Sequence, residues 1–315
     1  MRLKVIFLKK RHILFILLII LIAVLAAFLL FSQDSTPSSS IAVNDKIINK
    51  YDFNGDGTKD ITYIKTVQNK YILQVNINKN SFYLEPNKPL DTLGTYYQYW
   101  PIRVSIVDVS RNKIPEIFTQ ASENGSPIQH LFIWDKDGFK NILSNNNNLL
   151  GFIDLHNNKT PKILSGFLNK DSIHMNNYIL VNNKLKQYQF NYSNNFAGKD
   201  TIVTFVNYIQ SLPYNEVNKP EEIFYPGLNG KALSAIGKLT GEDNIYTFQD
   251  GVFMDKKCDS DGNELVVQWT LNFKGVSNKV KDKTRYYTIN VLLQAYGDAN
   301  SPNHFKINSI SLTNN

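Results

Sequence analysis

The sequence predicts a mainly β protein with an α+β C-terminal part, carried on an N-terminal transmembrane helix. Three observations predict it. An uninterrupted apolar run fills residues 13–31; a loop rich in Asp and Asn, flanked by strand-like residues, recurs three times between residues 52 and 163; and beyond residue 200 two helical patterns precede rows of alternating apolar and polar residues. In chain order these define a basic tail (1–12), a membrane helix (13–31), a linker (32–44), a β-repeat domain (45–192) and an α+β domain (193–315).

The run from Ile13 to Phe31 is 19 residues long, enough to cross a bilayer as a helix. Arg2, Lys4, Lys9, Lys10 and Arg11 precede it and the first charge after it is Asp34, so the excess of positive charge keeps the N-terminus in the cytoplasm and places the bulk outside. A cleaved signal peptide has a shorter apolar region and a small-residue cleavage site. Here the run ends in Phe28-Leu29-Leu30-Phe31, which predicts an uncleaved anchor. Ser35, Thr36, Pro37, Ser38, Ser39 and Ser40 read as a flexible spacer clear of the lipid.

The net charge of +7 dissolves on partition. Once the five basic residues ahead of the anchor are set aside, 29 basic face 27 acidic residues. They are interspersed rather than gathered on one face, which argues against a nucleic-acid partner. Cys258 is the only cysteine, so neither an intrachain disulfide nor a Cys-based zinc site can form. The absence of disulfides in an exported chain is consistent with a Gram-positive-type exterior.

The stretch Asp52-Phe53-Asn54-Gly55-Asp56-Gly57-Thr58-Lys59-Asp60 places oxygen-bearing side chains at loop positions 1, 3, 5 and 9. Calcium takes six to eight oxygens. Asp52, Asn54, Asp56 and Asp60 can supply side-chain oxygens, the Thr58 carbonyl another and water the remainder, with Gly57 turning the backbone. Position 12 is Tyr63 within a strand-like run, which excludes an EF-hand. The same residues also suit a tight turn whose side chains bond their own backbone.

Asp108 to Ile117 and Asp154 to Ile163 align with Asp52 to Ile61 without a gap. In these later copies Lys113 and Lys159 stand in place of Gly57, and Lys162 in place of Asp60. At most one strong calcium site is therefore expected, in the first copy. Leu131-Phe132-Ile133-Trp134, Asp135-Lys136-Asp137-Gly138 and Phe139-Lys140-Asn141-Ile142-Leu143 read as a hairpin. On these motifs the segment from about residue 45 to 190 resembles FG-GAP or VCBS-type repeats. The resemblance implies blades of a β-propeller on extracellular binding and adhesion proteins, here partial or small, since propellers use four to eight blades and three copies are found.

In the C-terminal part, Ile202, Phe205, Val206, Ile209 and Leu212 share one helix face, with Asp200 to cap it and Pro213 to stop it. A second helix is expected near Lys231 to Leu239. Leu265, Val267, Trp269, Leu271 and Phe273 form one period-two row and Tyr287, Ile289, Val291, Leu293 and Ala295 another. A third row runs through Phe305 and Ile307 and changes phase to Ile310 and Leu312, predicting a bulge near Asn308. Two helices followed by a curved antiparallel sheet resemble the cystatin or NTF2-like class. Asp259-Ser260-Asp261-Gly262 reads as a hairpin turn.

The sequence holds no nucleophile elbow, His-Glu-x-x-His or phosphate-binding glycine loop. His12, His130, His156, His174 and His304 stand singly, as surface or turn residues. Glu123 and the Glu221-Glu222 pair could supply acids for sugar hydrolysis, a mechanism that depends on the spatial separation of two carboxylates, and a non-enzyme is expected. Tyr97, Tyr99 and Trp100 are the candidate ligand-binding aromatics, although such residues also suit a strand core, and at least alternate members of the run are expected to pack inward. The expectation is a single-pass, N-in membrane protein with a structural calcium ion that recognises a cell-envelope polymer or partner protein. The rivals are an envelope hydrolase and a structural subunit of a secretion or transfer apparatus.

Overall fold

The computed structural model describes residues 11, 18–19, 38–41, 47–154, 161–189, 196–214, 218–228, 230–280 and 283–314. The chain divides into Met1–Pro37 and Ser38–Asn315, and every described strand lies in the second unit. The predicted membrane segment lies outside the described residues except for Leu18 and Ile19. Among the described residues no helix is long and apolar enough to cross a membrane.

The protein is mostly β, in three sheets. The first is a four-stranded meander, β2 (Ile47–Tyr51), β3 (Asp60–Val67), β4 (Lys70–Ile77) and β5 (Asn80–Tyr83). The second holds β6 (Arg103–Val107), β7 (Glu116–Glu123), β8 (Ser126–Asp135) and β9 (Gly138–Asn145), with β1 (Ser38–Ile41) antiparallel on its β6 edge. Ser38–Ile41 thus forms a paired strand inside the stretch expected to be spacer.

The third sheet has eight strands. One half is the meander β10 (Leu149–Ile153), β11 (Lys162–Asn169), β12 (Ser172–Val181) and β13 (Lys184–Tyr188). The other half is β14 (Asn244–Cys258), β15 (Glu264–Ser277), β16 (Thr284–Ala295) and β17 (Phe305–Asn314). They join where β10 pairs in parallel with β14, Leu149 opposite Gly251. The expected boundary at residues 192/193 therefore falls between two halves of one sheet. The physical reason is that β10 is an edge strand of its own meander, and β14 satisfies its open row of backbone groups.

The layers follow from strand periodicity. On β6, Val104 and Ile106 join the core facing the first sheet, while Val107 joins the core facing the third. On β7, Ile117 and Ala121 point to the first core and Phe118 to the second. Almost every residue of β6 and β7 is buried because the sheet is covered on both faces, so the usual apolar/polar alternation of an antiparallel sheet is muted. On β10, Leu150 and Phe152 face the second sheet while Leu149 and Ile153 face the helices.

Among the described residues of the second unit the α-helices are α1 (Lys199–Ser211) and α2 (Gly230–Gly241). Ile202, Phe205, Val206 and Ile209 of α1 lie in the core with Val267, Trp269, Leu271 and Phe273 of β15. Asp200 sits in the first turn of α1 rather than capping it; the N-cap is Gly198, in the left-handed region at φ 67°. The β14–β15 hairpin turns at Asp259–Asn263, and Asn308 is the bulged residue where β17 shifts register against β16.

Candidate functional site

The three Asp loops occupy one structural position. Each follows the first strand of a meander and precedes the second, and the closing pairs are Tyr51 with Asp60, Val107 with Glu116 and Ile153 with Lys162. The hairpins that follow match as well: Val67 with Lys70, Glu123 with Ser126 and Asn169 with Ser172, each enclosing two residues. Gln68, Asn69 and Asn124 adopt positive φ there, as tight hairpin turns require.

In the first loop Asp52 accepts the N–H groups of Gly55 and Gly57 at 2.7 and 2.8 Å. Asp56 accepts the Thr58 N–H at 2.7 Å and the side-chain amides of Asn54 and Asn78, both at 2.9 Å. Asp60 is 2% exposed and accepts the Phe53 N–H at 2.8 Å. Gly55 and Gly57 sit at φ 77° and 84°, a conformation that costs glycine little.

The second loop repeats this frame with different residues. The Lys113 N–H donates to Asp108 at 2.9 Å, the Ile114 N–H to Asn112 at 2.7 Å and the Val109 N–H to Glu116 at 2.8 Å. Arg111 and Lys113 take the positive φ of the two glycines. Of the third loop, residues 155–160 lie outside the described residues, so His156 and Lys159 are not placed. Lys162 stands where Asp60 and Glu116 stand, and Asp154 and Asp255 favour its charge while burial opposes it. The Asp154 N–H donates to Asp255 of β14 at 3.0 Å. Arg111 pairs with Asp154 at 3.2 Å, and a Cβ at Gly55 would lie 3.0 Å from Ile114. The loops therefore gather at one end of the sheets.

Electrostatics separates their acids. Bonds from the Asn54 side chain and the Thr58 N–H hold Asp56 below its ordinary value. Burial raises Asp60, with the charges of Asp56 and Asp52 adding to the shift. Burial pushes Glu116 up to about 7.

As donors, Asp52, Asn54, Asp56, the Thr58 carbonyl and Asp60 suit a hard cation. In the conformation described, their carboxylate oxygens are engaged by N–H groups. Among the described residues no group of three or more His, Cys, Asp and Glu side chains gathers closely enough to hold a metal ion.

The aromatic candidates separate. Trp100 is 7% exposed and donates its indole N–H to Asp250 at 2.6 Å; it belongs to the interior rather than to an exposed binding surface. Tyr97 and Tyr99 are half-buried, stacked at 5.2 Å, with Lys274 Nζ 4.6 Å from the Tyr99 ring centre. Glu123 is held by Lys70 and Thr95, and Glu221 by Lys219 at 3.0 Å.

Sequence reasoning missed two buried groups. Arg103 is fully buried and pairs with Asp250 at 2.9 Å. Burial works against both charges, and each opposes that effect in the other. His130, read as a surface residue, is 2% exposed, bonded to the Thr92 carbonyl at 2.9 Å, and held neutral by burial, which pushes it down to about 4. Neither burial carries a local signal, because the partners lie far off in the chain.

The chain matches no protein-family model, and no curated protein matches it.

Proposed function

We propose that the chain is a single-pass membrane protein that displays a stack of Asp-loop β-meanders outside the cell and binds a cell-envelope polymer or partner protein with it. The observation that carries the reading is the identical register of the three loops, closed at residues 51/60, 107/116 and 153/162. A four-stranded meander opened by such a loop, repeated and packed face to face, is the arrangement of FG-GAP or VCBS-type blades in a small, incomplete propeller-like stack. The helices on the antiparallel sheet β14–β17 support the NTF2-like reading of the C-terminal half. The apolar run 13–31 and the basic tail before it support the membrane anchor and its orientation.

The first loop takes one calcium ion, which ties Asp52, Asn54, Asp56 and Asp60 together and so serves structure rather than catalysis. Support comes from three carboxylates close enough for two of them to raise the third, a repulsion that a divalent ion relieves. A binding role is favoured over an enzymatic one because the two carboxyls that burial pushes up to about 7, Glu116 and Glu264, each accept a backbone N–H, from Val109 and Ala197. Protease added to intact cells carrying an N-terminally tagged full-length chain should digest the bulk and leave a short tagged fragment. Full protection of the chain would contradict the orientation.

A further inference from the structure

Opposite the Asp loops, at the hairpin ends of β3 and β7, the first and second meanders border an open groove of about 720 Å³, within the size range of ligand sites. Its floor is apolar: Tyr71, Leu84 and Leu93 are 4%, 4% and 3% exposed. One side carries the ring of Tyr83, which is 53% exposed although it ends a strand. The rim carries Glu85, Asp91 and Glu123 against a single cation, Lys70.

The walls are fixed in place. Lys70 and Glu123 are paired at 2.5 Å, and Thr95 donates to the same carboxylate at 2.9 Å. The connection from Leu84 to Thr95 is pinned by Asn87, whose N–H and side-chain amide bond Asn141 at 3.1 and 2.9 Å. It is pinned again by the Thr95 N–H on the Ser122 carbonyl at 2.8 Å. At Gly94, φ is 114° and a Cβ would lie 2.7 Å from that of Ala121, so only glycine lets the connection lie this close to β7. Such walls need little ordering on binding.

We propose that this groove binds a glycan segment bearing free amino groups. An aromatic face beside an apolar floor suits the C–H faces of sugar rings. Carboxylates at the rim accept from hydroxyl and ammonium groups in charge-assisted bonds. With Glu123 offset by Lys70, Glu85 and Asp91 leave the groove a negative balance, which favours a cationic glycan over an acidic one. The groove also sits where the copies differ most usefully: the ion-paired Lys70 and Glu123 correspond to Ser126, Ser172 and Val67, Asn169 at the other hairpin ends.

The proposal rests on the envelope-binding reading, and the test separates the two. Full-length chain in detergent is titrated by calorimetry with glucosamine tetramer, its fully N-acetylated form and an acidic galacturonate tetramer. Saturable binding of the glucosamine tetramer is expected, at least tenfold weaker for the N-acetylated form, for Tyr83→Ala and for Asp91→Asn. Both side chains are exposed, so these variants keep the fold, which unfolding curves verify. Binding that survives both substitutions overturns the groove while leaving envelope recognition standing. No saturable binding, or preference for the acidic tetramer or for a basic peptide, overturns the groove outright, whereas orientation in the membrane is judged by the protease experiment alone.

Discussion

Arg103 and Asp250 stand 2.9 Å apart with their side chains 0% and 2% exposed, joining the second sheet to the third. Trp100 and Asn272 donate to the same carboxylate at 2.6 and 3.2 Å, and Arg103 donates to the Thr270 carbonyl at 3.1 Å. Removing one partner leaves the other charge buried and uncompensated, at a cost of about 3–5 kcal/mol. Asp250→Asn and Arg103→Met are each expected to lose that much in urea unfolding. The double variant Arg103→Met/Asp250→Asn, which keeps an acceptor for the Trp100 indole N–H, should lose clearly less than the sum of the two single losses, because neither charge is then left unpaired. Additive losses would contradict the pairing.

Glu116 gives stability a defined pH dependence. Its folded pKa of about 7 lies above the ordinary 4.5, so between these values the folded chain holds a proton that the unfolded chain has released. The contribution of Glu116 to stability then falls as pH rises from 4.5 to 7 and is constant outside that window, by an amount on the order of 3 kcal/mol. Glu116→Gln keeps an acceptor for the Val109 N–H and removes the titration. The variant should match the parent at pH 4 and exceed it at pH 8 in denaturant midpoint. Parallel curves across the whole range would refute the burial argument.

Cys258 offers a check on the third loop. Burial, reinforced by Asp255 and Glu264, pushes its thiol up to about 12, so at pH 8 only about one thiol in ten thousand is ionised, and the thiolate is the reactive form. Labelling by an aromatic disulfide reagent is expected to be slow in the native protein and fast in urea. Asp255→Asn should speed native labelling several-fold. Rapid labelling of the native parent would mean that burial and the acids Asp255 and Glu264 do not suppress the thiolate.

How much of this was legible in the sequence depended on the distance over which each feature is determined. The rows of β15 and β16 and the bulge at Asn308 follow from side-chain alternation within one strand, and the structure shows them at those residues. The Asp loops were readable because Asp52 and Asp108 bond backbone only three to five residues ahead. The parallel pairing of β10 with β14 was not readable, since β10 could have ended its own sheet. It places the boundary expected at 192/193 between the two halves of one sheet. Trp100 looked like a surface aromatic because its partner Asp250 lies 150 residues away, and His130 was misplaced for the same reason. Ser38–Ile41 has the composition of a spacer, and only the open edge of β6 makes it a strand.

The central claim is that the first of three equivalent loops takes a calcium ion while the second does not. Calorimetric titration of the full-length chain with calcium tests it most directly. One site is predicted, with a dissociation constant of about 10⁻⁴–10⁻³ M as in extracellular modules. At 10 mM calcium it should add roughly 1–3 kcal/mol of stability. Asp56→Ala should abolish both effects, and Asp108→Ala should leave the titration unchanged. No calcium heat in the parent chain, or an undiminished titration in Asp56→Ala, would contradict the account.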